Sequence, residues 1–204
     1  HVENGRIRDT EQLRLKSGLK QALERFGAGV RLTPQQNILL CDIPNEQRTE
    51  LETLLHENGI KTDPETLGTS QFAMACPALP TCGQAVAEAE RVHPDVVGQI
   101  ESYLRELGME KERISIRMTG CPNGCARPYM GDIGFVGRTK DIYNIYVGGD
   151  WQNTRLNTLY ASSIHLGKLA STLYPLFDLW KNERENGEYF GDYCQRIGIE
   201  ALQT

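Results

Sequence analysis

Four of the six cysteines fall into two tight pairs, and nothing else in the 204-residue chain restricts its fold as much. Cys76 and Cys82 enclose five residues, and Cys121 and Cys125 enclose three. Four thiolates can hold a cubane 4Fe–4S cluster. Iron lowers thiol pKa values, so ligating thiols are deprotonated at neutral pH. A short spacing lets one loop supply two ligands pointing the same way. Pro77, Pro80 and Pro122 stiffen these loops. Gly120 and Gly124 permit close backbone approach and N–H donation toward sulfur, contacts that tune a cluster's potential. A structural zinc site also takes four cysteines, but its usual pair spacing of about two to four residues does not suit the longer loop. Plain buried thiols are the remaining reading. Cys41 and Cys194 sit in strand-like and helix-like runs and read as core thiols.

The charge pattern narrows the partners. There are 27 acidic and 22 basic residues, for a formal charge of −5. No Lys/Arg run interleaves with aromatics, so nucleic acid is not an expected partner. The apolar stretches are too short for a membrane span. Residues 1–30 lack the apolar core of a signal peptide. The expected location is cytoplasmic, or a plastid in a eukaryote. Without a secretory signal, the cysteines argue for metal or redox chemistry over disulfides. The chain begins at His1 rather than Met, which reads as a processed product or a fragment.

Periodicity orders the rest. Leu13, Leu15, Leu19, Leu23 and Phe26 predict a helix over 11–26, ended by Gly27 and Gly29. Residues 30–33 and 37–43 read as strands around a 34–36 turn. A helix over 45–59 buries Leu51, Leu54 and Leu55. Residues 62–70 read as a linker. Helices are predicted at 84–92 and 94–107, with Pro94 near an N-terminus. Strands are predicted at 114–118, 133–136 and 143–147, with a turn at 138–141. The longest helical pattern, 166–186, carries Leu169, Leu173, Leu176, Phe177 and Trp180 on one face, and Pro175 is expected to kink or split it. Segregated strands and helices predict an α+β fold. His56, His93 and His165 read as solvated or capping residues. Trp151 and Trp180 read as packing residues.

Residues 1–7, 32–37, 75–91 and 118–127 resemble the siroheme-containing sulfite and nitrite reductases, and Gly148–Gly149 and Gly191–Asp192 extend the likeness. The resemblance covers nearly the whole chain but only the second half of such proteins. It implies a small ferredoxin-like strand-and-helix unit over 1–67. A mixed α/β domain over 68–204 would then bind siroheme and the 4Fe–4S cluster. It makes Cys76, Cys82, Cys121 and Cys125 the cluster ligands, with Cys125 also bridging to the siroheme iron. Further cofactor contacts are expected at Asn123, beside the bridging sulfur, and at Gln36 and Asn37. Thr119 adds a backbone N–H, and Arg117 and Arg127 pair with siroheme carboxylates. The alternatives are turn residues for Asn123, Gln36 and Asn37, and surface ion pairs for the arginines.

The implied activity is the six-electron reduction of sulfite to sulfide. The Cys-Pro-Asn-Gly-Cys-Ala-Arg run of residues 121–127 is closer to the sulfite than to the nitrite branch. The residues that grip sulfite belong chiefly to the missing N-terminal half, so this chain alone is expected to be inactive. The implied electron donor is ferredoxin or a flavoprotein reductase. A non-catalytic iron–sulfur electron-transfer module is the rival from another class, although ferredoxins use tighter pairs.

Overall fold

Leu15, Leu19, Ala22 and Phe26 lie one turn apart and turn toward a common core, and α1 (Leu15–Phe26) forms around them. In the computed structural model, which describes residues 1–62, 68–150 and 152–203, this helix starts four residues later than expected. The cause is local. The Thr10 hydroxyl accepts from the Leu13 N–H, and Asp9 bridges to Arg14. The Asp9 carboxylate then accepts from the N–H and hydroxyl of Ser17, covering a donor of the first turn. Gly27 ends the helix in the left-handed region at φ 63°.

The chain divides into two compact units, residues 1–71 and 72–204. In the first, β1 (Gly29–Leu32) and β2 (Ile38–Cys41) form an antiparallel hairpin, followed by α2 (Arg48–Glu57). Val2, Leu15, Ala22, Leu51, Leu54, Leu55 and Ile60 form its core. The expected linker lies partly outside the described residues, at 63–67, and its last three residues open the short helix α3 (Gly68–Phe72).

The second unit is built on a five-stranded mixed sheet in the order β3 (Met74–Ala75), β4 (Ile116–Thr119), β5 (Ile133–Thr139), β6 (Ile142–Val147), β7 (Thr158–His165). β3, β4 and β5 run parallel, and β6 and β7 return antiparallel. α4 (His93–Glu106) and α5 (Leu169–Glu183) bury Ile100, Leu104, Leu173, Leu176, Phe177 and Trp180 in its core. The α+β expectation holds. Pro175 sits inside α5 without dividing it, because buried leucines and aromatics on both sides hold the helix to the core. α6 (Phe190–Ile197) and α7 (Ile199–Leu202) end the chain. Cys194 is fully buried on α6, as a core thiol should be, whereas Cys41 is half-buried at the end of β2. Among the described residues no helix is long and apolar enough to cross a membrane.

Two further expectations fail. No helix forms over 84–92. The Val86 and Ala87 N–H groups donate to Gly120 O, and the Glu90 N–H donates to Cys76 O, so these donors are spent on the cysteine segments. His93 is buried, not solvated. His165 does cap, accepting from the Gly167 N–H, and His56 is exposed. Trp180 packs against Phe190 in the core, while Trp151 lies outside the described residues.

Burial depresses the His93 imidazole to about 4. The unfolded chain, near 6.5, takes up this proton first. The stability His93 contributes is therefore present above about pH 6.5 and lost as the pH falls toward about 4. A His93→Gln variant should lose less stability across that window. Urea midpoints at several pH values check this, and parallel acid slopes for the two proteins would count against it.

Candidate functional site

Adjacent parallel strands bring the cysteine pairs together. Met74 and Ala75 of β3 pair with Arg117 and Met118 of β4. Cys76 leaves the carboxyl end of β3, and Gly120 and Cys121 leave the carboxyl end of β4. Such strand ends are where parallel sheets present their sites. The Cys76 N–H donates to Met118 O at 3.1 Å, extending the pairing one residue into the loop.

Gly120 joins the two loops. Its N–H donates to Cys76 Sγ at 3.4 Å. Its carbonyl accepts from Val86 at 2.9 Å and Ala87 at 3.0 Å. A side chain there would collide with Ala87 O, at 2.5 Å from the Cβ position. Cys82 closes a tight turn on Ala78 O at 2.7 Å. Cys76 and Cys121 are buried, Cys82 is half-buried and Cys125 is exposed. Burial pushes the Cys76 thiol up, backbone N–H groups of Gly120 and Ala78 oppose that, and the nearby Cys125 and Cys121 add to it. Cys121 and Cys125 thus lie near enough to Cys76 to act on its thiol.

Asn123 ties the loops from outside, donating from Nδ2 to Gln84 Oε1 at 2.7 Å. Gln84 carries no signal in the sequence. Tyr129 is also unannounced. Its hydroxyl donates to Pro122 O at 3.3 Å, and its ring lies edge-on to Tyr146. Tyr143 reaches from β6 to the same region, donating to Glu88 O at 2.8 Å.

Arg117 and Thr119 share one face of β4, and both are buried. Arg117 donates to Arg127 O at 3.2 Å and to Asn153 Oδ1 at 2.5 Å, leaving its Nε without a partner. Burial and then the nearby Arg127 charge lower its pKa to about 10, against the opposing pull of Asp132. The Thr119 hydroxyl is likewise buried without a partner. Arg127 adopts φ 53° and directs a guanidinium N–H to Met74 Sδ at 3.7 Å. Arg117, 3% exposed, is too buried for the surface ion pair considered as its alternative.

Gln36 and Asn37 belong to the first unit, the other candidates to the second. Gln36 occupies the hairpin turn at φ 61°. The Asn37 amide accepts from the Val2 N–H at 3.0 Å, contacts His1 Nδ1 at 2.9 Å and donates to Gln71 O at 2.9 Å.

Among the described residues no three His, Cys, Asp or Glu side chains gather about a point for a single metal ion. A cubane takes one thiolate at each iron corner and so asks for thiols spread around it. Two facing loops, a backbone N–H already on one sulfur, and unsatisfied polar atoms on the neighbouring strand suit such a cluster with an anionic macrocycle beside it.

Comparison with known proteins points the same way. The 4Fe-4S domain of nitrite and sulphite reductases matches residues 72–204, and their ferredoxin-like half domain matches residues 1–58. A sulfite reductase (NADPH) hemoprotein beta-component of Staphylococcus carnosus is 41% identical over 203 residues, which is 100% of this chain and 36% of that protein. A sulfite reductase (ferredoxin) of Synechococcus elongatus is 39% identical over 202 residues, 99% of this chain and 32% of that protein. The chain thus spans about a third of the curated relatives it matches. The NirA protein of Mycobacterium tuberculosis shares the fold, with a TM-score of 0.77 at 22% identity over 91% of this chain and 36% of that one.

Proposed function

The chain belongs to the nitrite and sulphite reductase 4Fe-4S domain family, and on that premise we propose that it is the iron–sulfur part of a sulfite reductase haemoprotein. In this reading Cys76, Cys82, Cys121 and Cys125 would hold a 4Fe–4S cluster, and Cys125 would also serve the iron of siroheme. The observation that carries it is the meeting of the two cysteine loops at the carboxyl ends of β3 and β4, joined through Gly120. The relatives named as sulfite reductases support sulfite as the substrate. Residues 1–67 form the ferredoxin-like half domain and residues 68–204 the cofactor domain, in keeping with the family matches at 1–58 and 72–204.

The cluster and siroheme, when bound, would relay electrons from the external donor to the site of sulfite reduction, six being needed to reach sulfide. The chain's own residues hold and insulate. Gly120 sets a donor on Cys76 Sγ, which favours the more negative, reduced state of a thiolate-ligated cluster. Arg117 and Thr119 offer a buried guanidinium N–H and a hydroxyl to an anionic group, with Arg127 adding charge beside them. Asn123 and Gln84 keep the loops in register. A cationic pocket for the sulfite dianion and its protons is the task of the missing half. The donor is ferredoxin or a flavoprotein reductase, as the names of the two relatives suggest.

Anaerobic reconstitution with iron and sulfide tests the reading. The chain should take up about four irons and give a cubane EPR signal, with Cys76→Ser losing most of both. Zinc uptake in preference to iron would sink it. The chain alone should not oxidise reduced methyl viologen in response to sulfite, and turnover by it would refute the division of labour between the halves.

A further inference from the structure

The segment that leaves Cys125 is gripped carbonyl by carbonyl. Arg117 Nη1 donates to Arg127 O at 3.2 Å. Asn157, between β6 and β7, does the rest. Its backbone N–H donates to Tyr129 O at 2.8 Å. Its side-chain Nδ2 donates to Pro128 O at 2.7 Å and to Gly131 O at 3.0 Å. One residue therefore fixes three carbonyls within the six residues after Cys125.

The surroundings are built for this amide. Gly134 leaves room for it, since a Cβ there would lie 3.0 Å from Asn157 Nδ2 and 2.2 Å from Pro128 O. The amide's Oδ1 is buried without a partner, so its orientation is set by the two carbonyls alone. The loop before it is loose by comparison. Its internal Gly124 N–H to Cys121 O bond is 3.5 Å long, and Cys125 is exposed.

We propose that Asn157 is the positioning residue for Cys125. By fixing residues 128–131 it sets where loop 121–125 presents its second thiol. The inference rests on reading Cys125 as a cluster ligand. The sequence gives no hint of it, because Asn157 lies 32 positions beyond Cys125 in an unremarkable polar run.

The test uses the full chain, reconstituted anaerobically, with Asn157→Ala, Asn157→Asp and Asn157→Ser. Three readouts are taken: iron release to a chelator, the EPR signal of the reduced cluster, and the urea midpoint. Loss of the two side-chain bonds should speed iron release about tenfold in Asn157→Ala. Asn157→Asp is expected to be worse despite its matching size, because it sets a carboxylate against two carbonyls. The EPR signal should change shape in variants that remain folded. A merely structural role would lower the urea midpoint and leave that signal and the release rate unchanged, which would overturn the proposal. Should Asn157→Ala not fold, Asn157→Ser is read by the same criteria. If the wild-type chain takes up no iron, the ligand reading falls and this inference falls with it. If the wild type loads and the folded variants match it, only this inference is lost.

Discussion

Alanine at position 120 is expected to cost the second unit about 3 kcal/mol or more and to prevent stable iron uptake. A Cβ at this position would lie 2.5 Å from Ala87 O and 2.6 Å from Ala78 Cβ. Neither neighbour is the flexible end of a long side chain, so relief requires moving the backbone of the 76–91 loop. That movement breaks what Gly120 holds, namely the bonds from Val86 and Ala87 to its carbonyl and its own N–H on Cys76 Sγ. Gly83→Ala is the matched control, since its Cβ would meet nothing within 4 Å. Urea unfolding and iron content per chain, measured on both, decide the matter. A Gly120→Ala chain with the stability and iron content of Gly83→Ala would show that the loops do not depend on this close approach.

Removing the Asp132 carboxylate should be of similar size. Asp132 is 1% exposed. Its Oδ2 accepts from the Ser115 N–H at 2.9 Å and the Ser115 hydroxyl at 2.6 Å, and its Oδ1 accepts from the Gly191 N–H at 3.2 Å. Its own N–H donates back to the Ser115 hydroxyl at 2.9 Å. Asp132→Ala strands these buried donors and should cost roughly 3–4 kcal/mol. Asp132→Asn retains an acceptor for Ser115 and turns an NH2 toward Gly191, so it should cost about half as much.

The same carboxylate has a pH signature. Burial raises its pKa above the usual carboxylate value, although its hydrogen bonds oppose the shift. The folded chain thus holds this proton to higher pH than the unfolded chain does. Stability from this site is greatest below the unfolded value of 3.8 and declines as the pH rises through the folded one. Asp132→Asn should remove that decline. Its stability curve should be flatter than wild type just above pH 3.8, and equal slopes there would refute the assignment.

Much of this fold is legible in the chain. Leucine spacing marks α1, α2 and α5 because each buries one stripe against a core. The cysteine pairs mark two loops, but spacing is silent on what brings the loops together. That is the parallel pairing of β3 with β4, and β3 is only two residues long, below what a pattern can announce. The Gln84–Val92 stretch misleads for a related reason. Its alanines and glutamates favour a helix, yet its donors are claimed by Gly120 and Cys76 from elsewhere in the sequence. β7 hides because it is the outer strand and mostly exposed, so it shows no clean alternation. Gln84, Tyr129 and Asn157 act through single hydrogen bonds or backbone carbonyls, and no residue type advertises such a role.

Gly191 has consequences for how the unit is completed during synthesis. A Cβ there would lie 1.8 Å from Gly149 O, and its N–H serves Asp132. Asp132 follows directly on the segment that Asn157 grips. A nascent chain halted between residues 166 and 190 would already contain both cysteine loops and all five strands of the second unit's sheet, yet its Asp132, served by Ser115, would still lack the donor that Gly191 brings to Oδ1. The stretch that carries both cysteine pairs is therefore translated before its surroundings can be finished as a structure. Cofactor insertion that waits for a settled site would have to wait for α6.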